Sequence, residues 1–164
     1  MATMEEMVRV MLIGVGATWV MDLWTALLKV LGATTLNYAL VGRWAGHLWQ
    51  GQLTHENIGK AAPICGELEL GWAVHYGVGM TFAALLVLLC GADWLQDPTW
   101  EAAVFVGMAT VVFPLFVMQP AMGAGIAGSR TPTPIKNGLR SLATHAVFGS
   151  GLYLSAAVMK RVWT

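Results

Sequence analysis

Positions 70–90 read "LGWAVHYGVGMTFAALLVLLC", without an acid, a lysine or an arginine. The apolar residues run continuously instead of alternating, which is the pattern of a helix and not of a membrane strand. A spanning helix needs about 20 mostly apolar residues, and this stretch supplies them. Three other segments read the same way: about 10–30, which carries the acid Asp22, about 102–118, and about 142–159.

The composition agrees. Of 164 residues, 57% are hydrophobic and only 11% charged, against roughly 25% charge in soluble domains. A chain so poor in charge cannot cover its own surface in water, so its natural solvent is a bilayer. The net charge is +0, which leaves no electrostatic footprint for nucleic acid. The expected fold is all-α: an integral membrane four-helix bundle, one transmembrane domain over 1–164. Four spans put both termini and the short loop 91–101 on one side, and the long loops 31–69 and 119–141 on the other. Trp94, Trp100 and Trp163 then fall near one interface and Trp44, Trp49 and Trp72 near the other, as aromatic belts. Arg43, Lys60, Arg130, Lys136 and Arg140, with Lys29 beside them, outnumber Arg9, Lys160 and Arg161, which leans the long loops towards the cytoplasm. Cys65 and Cys90 sit at opposite ends of the second span and cannot pair within one chain.

"MGAGIAGSR" at 122–130 contains Gly123, Gly125 and Gly128 at the spacing of a dinucleotide fingerprint. That motif needs a preceding strand, a following helix and an acid about 20 residues on. Here it follows an apolar span ending at Gln119-Pro120, and no Asp or Glu occurs after Glu101. No dinucleotide is expected. The glycines read as sites of close backbone approach.

The two halves echo each other. "ATWVMDLW" (17–24) aligns with "ATVVFPLF" (109–116), "ALVGRWAG" (39–46) with "AMGAGIAG" (121–128), and "AVHYGVG" (73–79) with "ATHAVFG" (143–149). This reads as two parallel helical-hairpin repeats; chance similarity among apolar helices is the competing reading.

Charge inside a bilayer costs at least ~2.5–3.5 kcal/mol for Asp, so an intramembrane acid is a functional candidate by default. Asp22 lies inside the first span. His75 and His145 lie near the long-loop ends of the second and fourth, at matching places in the repeat. Asn37, Tyr38, Arg43, His47, His55, Glu67, Glu69, Gln119 and Arg140 gather on the same side. The expected pocket comprises Asp22, His75, His145, Gln119, Arg140, Asn37, Arg43, His47 and Glu67, with the first three converging inside the bundle and Gln119 and Arg140 reaching the rim. For each group a structural role competes: Asp22 paired to a neighbouring helix, the histidines bonded within the bundle, Tyr76 and Tyr153 as packing.

"MDLW", "LNYALVGRWAGH", "GELELGWAVHYGVG", "MQPAMGAGIAGSRTP" and "LRSLATHAVFGSGLYL" together resemble an uncharacterised family of small four-span bacterial inner-membrane proteins, a domain of unknown function. The resemblance covers nearly the whole chain and implies a bacterial inner-membrane address. It brings no activity, substrate or catalytic residue.

No catalytic residue is assigned, because no nucleophile elbow, zinc-protease helix or P-loop appears. The leading expectation is a membrane module that binds or passes a small polar solute or protons, as a homo-oligomer. The alternatives are an accessory subunit of a larger membrane complex and a redox subunit with haem b between His75 and His145. Otherwise no cofactor or metal is expected.

Overall fold

A computed structural model describes residues 3–163. Among the described residues five helices form: α1 (Met4–Val30), α2 (Tyr38–Trp49), α3 (Glu67–Cys90), α4 (Trp100–Ala121) and α5 (Pro134–Val162). All but α2 are long and apolar enough to cross a membrane. The fold is thus all-α and membrane-helical. All four begin before the apolar segments, and α4 and α5 also run past their ends, because polar turns complete them. Thr3 and Glu6 form a capping box at the start of α1, with Glu6 N donating to Thr3 Oγ1 at 3.1 Å and Thr3 N to Glu6 Oε2 at 2.7 Å. This satisfies two N–H groups that the helix leaves without partners. Pro134 opens α5, where a missing N–H is harmless.

Helix α4 is not regular. Pro114 cannot donate to the carbonyl of Thr110, and its ring crowds that carbonyl. The α-helical run ends at Ala109 and resumes through a wide turn over Pro114–Met118, in which Gln119 N donates to Pro114 O. Prolines and such wide turns are the usual causes of a break in a membrane helix.

The chain divides into two compact units, taken here one at a time. The first comprises Met1–Thr34, Tyr76–Thr110 and Ala143–Thr164. Ile13, Ala17, Leu86, Leu95, Ala103, Phe148 and Leu152 form its core. Its helices meet through small residues. Gly14 lies against the backbone of Gly79 and Met80, and Gly107 against Gly149, so a Cβ at either site would collide. Lipid tails are as apolar as leucine, so backbone approach and van der Waals packing hold membrane helices together. Arg9 is buried in this unit, donating from Nη2 to Leu95 O at 2.8 Å.

The second unit comprises Thr35–His75 and Val111–Leu142. The segment expected as the long loop 31–69 holds α2, capped by Asn37, whose side chain accepts from Ala39 N. Helix α2 crosses the start of α3 at two glycines: Gly42 meets the Glu67 carbonyl and Gly71 that of Tyr38. Trp44, Ile58 and Met122 form the core. Trp44 and, in the first unit, Trp94 are buried, not exposed in an interfacial belt. The Trp44 indole donates to Leu53 O at 3.1 Å, which ties it to the protein.

The glycine run is a turn. Gly123, Gly125 and Gly128 have φ of 92°, 77° and 71°, a region that favours glycine because it has no Cβ. Its amides are largely used within the turn: Gly123 N donates to Pro120 O, Ala124 N to Gln119 O and Arg130 N to Ala124 O. A phosphate cradle needs such groups to point outward instead. The aligned stretch 39–46 is helical, so these two echoes of the repeat differ in conformation.

Candidate functional site

In the first unit, α1 carries Asp22 roughly two turns before its end at Val30. The neighbouring face of α3 brings up Tyr76, whose hydroxyl donates to Asp22 Oδ2 at 2.9 Å. Both side chains are half-buried. A phenol O–H can donate to a carboxylate and equally to the carbonyl oxygen of a carboxylic acid. The contact therefore survives gain or loss of a proton at Asp22.

His145 of α5 is buried beside the break in α4. Thr110 Oγ1 donates to Gly107 O at 2.6 Å and lies 2.9 Å from His145 Nδ1. The Gly107 carbonyl can only accept, so the single hydroxyl proton points there. Nδ1–H of His145 then donates to the threonine oxygen, which fixes the tautomer.

The second unit holds the other candidates. His75 of α3 contacts Tyr38 of α2, Nε2 to Oη, at 3.0 Å. Trp72 completes an aromatic group around them, with centroids 4.3 Å from Tyr38 and 5.8 Å from His75. Arg43 and Glu67 face each other in a two-pronged ion pair: Nε to Oε2 at 2.9 Å and Nη2 to Oε1 at 2.8 Å. The remaining prong, Nη1, reaches the carbonyls of Ile58 at 3.3 Å, Gly59 at 3.4 Å and Ala61 at 3.1 Å. The hydrogen bond to Glu67 raises the guanidinium pKa above its ordinary value; burial opposes this and the carboxylate charge adds to it. Planar, forked geometry suits arginine to this work. Arg43 thereby clamps the 58–61 segment onto α2.

His47, a turn further along α2, is also buried, and its partner is His55 of the following segment: Nδ1 to Nε2 is 2.7 Å. His47 Nε2 reaches Ala62 O at 3.1 Å. The 55–58 segment is docked in turn, His55 N donating to Ala121 O at 2.8 Å and Ile58 N to Met122 O at 3.1 Å. Gln119 lies at the end of α4, its buried Oε1 without a hydrogen-bond partner. Arg140 lies on the first turns of α5, half-buried, and Asn37 is the cap of α2.

Thus Asp22 and His145 belong to one unit, and His75, Asn37, Arg43, His47, Glu67, Gln119 and Arg140 to the other. Within them the structure joins Arg43 to Glu67 directly. It supplies partners that sequence reasoning had not put in the site: Tyr76 for Asp22, Thr110 for His145 and His55 for His47. Only His55 carried a legible signal, as one of four histidines gathered towards the long-loop side.

These features define the class: a multi-pass helical membrane protein with hydrogen-bonded acids and histidines in or beside its spans. Residues 11–159 match the model of a family described as "Protein of unknown function (DUF2938)", and the chain belongs to that family. No curated protein and no solved structure matches it.

Proposed function

We propose that this is a bacterial inner-membrane protein that binds and passes protons, or a small polar solute in exchange for them, with Asp22 as the exchanging group. The Asp22–Tyr76 contact at 2.9 Å carries the reading. An acid placed in a spanning helix is costly when charged, and here its bond to a phenol holds it in place in either protonation state. Such a group takes up a proton from one side and releases it to the other without rearranging the fold. Tyr76 acts as a positioning residue. Four spans enclose little space alone, so the working form is a homo-oligomer.

The test is proton uptake into proteoliposomes carrying an internal pH-sensitive dye, driven by a potassium diffusion potential. The wild type should acidify the lumen, and Asp22→Asn should not. Equal rates in the two, or no uptake above empty liposomes by the wild type, would sink the proposal. Co-purification of a stoichiometric partner would then favour an accessory subunit. The haem alternative ranks below the accessory subunit, because His75 Nε2 is already engaged by Tyr38. An absorption spectrum of the same sample tests it.

A further inference from the structure

The direction of each hydrogen bond around His47 and His55 follows from one atom. The Ala62 carbonyl can only accept, so His47 Nε2, 3.1 Å away, carries a hydrogen. In neutral His47 the other nitrogen, Nδ1, is then a lone pair. It lies 2.7 Å from His55 Nε2, which must therefore be the donor. Neutral His55 has its own lone pair on Nδ1, and this atom is buried without any hydrogen-bond partner. The sequence of bonds runs one way: His55 Nε2–H to His47 Nδ1, then His47 Nε2–H to Ala62 O.

We propose that His47 and His55 form a one-proton acceptor whose mouth is His55 Nδ1. A proton arriving there adds to the lone pair. The hydrogen on His55 Nε2 then crosses the short bond to His47 Nδ1. His55 ends neutral with its hydrogen on Nδ1, and His47 becomes the cation. No electrons move, and one proton is gained in all. The charge settles on His47 because the imidazolium has two donors and both have acceptors there, His55 Nε2 and Ala62 O. The Nδ1 hydrogen of His55 has no acceptor in either arrangement, and an unmet donor costs more on a charged ring than on a neutral one. Hydrogen bonding to the charged form favours that form. A peptide carbonyl takes no proton onward, so the dyad stores one proton and returns it by the same mouth.

The dyad is 6% exposed at His47 and 9% at His55, yet residues 54 and 56 on either side of His55 are exposed. His55 is thus a buried residue between exposed neighbours. Charged groups on the segments packed about the pair include Glu67 and Glu69 at the start of α3, of which Glu67 is close enough to interact electrostatically with His47, Arg43 one turn back on α2, and Glu56 and Lys60 on the connecting segment. Arg43 is matched by Glu67. A second proton would make both facing nitrogens donors and break the 2.7 Å contact. That contact helps hold the 50–66 segment on α2, so double protonation undocks it.

The experiment is imidazole 15N NMR of the full-length protein in nanodiscs, labelled at histidine, across about pH 8 to 5 where histidines change charge. On acidification His47 should gain its second N–H, while His55 stays neutral and moves its hydrogen from Nε2 to Nδ1. A cationic His55 beside a neutral His47, or a dyad that takes two protons while the amide of Ile58 keeps its protection, would overturn the proposal. His55→Gln keeps an amide donor towards His47 Nδ1 but removes the mouth. His47 should then stay neutral over the range where it had become charged; unchanged protonation would place the mouth elsewhere. If that variant undocks the segment, His47→Gln still donates to Ala62 O and can accept from His55 Nε2–H, but it has no basic nitrogen to take the proton, so any charge gained should stay on His55. A persisting change of tautomer at His55 would again overturn the relay.

Discussion

The α-carbon of Gly123 stands against the main-chain carbonyl of Glu56, with no room for a Cβ between them. Its φ of 92° lies where other residues are strained. The contact sits between two main-chain bonds, His55 N to Ala121 O and Ile58 N to Met122 O, and so seals the 55–58 segment to the end of α4. Gly123→Ala should destabilise the protein by about 1–3 kcal/mol, seen as a lower Tm in detergent. Gly77, with open space around its Cα, provides the control: Gly77→Ala should leave Tm unchanged or raise it. Equal Tm for Gly123→Ala and the wild type would refute the close approach.

Arg43 joins α2, α3 and the 58–61 segment through one planar group. Lysine keeps the charge but not the fork. Arg43→Lys should retain one contact to Glu67 and lose most of those to Ile58, Gly59 and Ala61. Hydrogen exchange should then quicken at Lys60 and Ala61, whose amides close the small turn over 57–61, and stay unchanged in the core of α1. Protection equal to wild type at those amides would mean that the turn holds itself.

Cys65 and Cys90 are both exposed and flank α3. Its 24 residues span about 36 Å, enough for a hydrocarbon core of ~30 Å. An impermeant thiol reagent on sealed, oriented vesicles should label one cysteine from outside and the other only after permeabilisation. Single-cysteine variants, Cys65→Ser and Cys90→Ser, assign the signals. Labelling of both from one side would rule out α3 as a span.

What was legible in the sequence followed from period and composition. The spans of α1, α3, α4 and α5 were visible because uninterrupted apolar runs have one physical outcome in so uncharged a chain. Helix α2 was hidden inside a long polar-looking connection, although Asn37 as a cap and the buried spacing of Val41 and Trp44 marked it. The glycine run was legible as backbone geometry but not as a turn against Glu56, since that partner lies far away in sequence. For the site, sequence chose ionisable residues by type. It did not foresee Tyr76 or Thr110, because a tyrosine or threonine in an apolar helix has no pattern that separates a bonded hydroxyl from ordinary packing. For Arg43 and Glu67, expected in the pocket, the sequence does not show that they also grip each other and the connecting segment.

Asp22 and Tyr76 allow function to be separated from stability. Tyr76→Phe keeps the ring and deletes only the hydroxyl, so it should cost about 1 kcal/mol, the net worth of a typical hydrogen bond. Asp22→Asn leaves an amide oxygen able to accept the same bond, and it removes an acid whose charged form is expensive in a spanning helix. It should therefore be as stable as the wild type or more so, while losing proton uptake in liposomes. Thermal unfolding of both variants in one detergent tests the pair. If Asp22→Asn is the less stable of the two, the carboxylate is holding the helices together through its charge. Asp22 would then be a structural acid, and exchange at this position would be untenable.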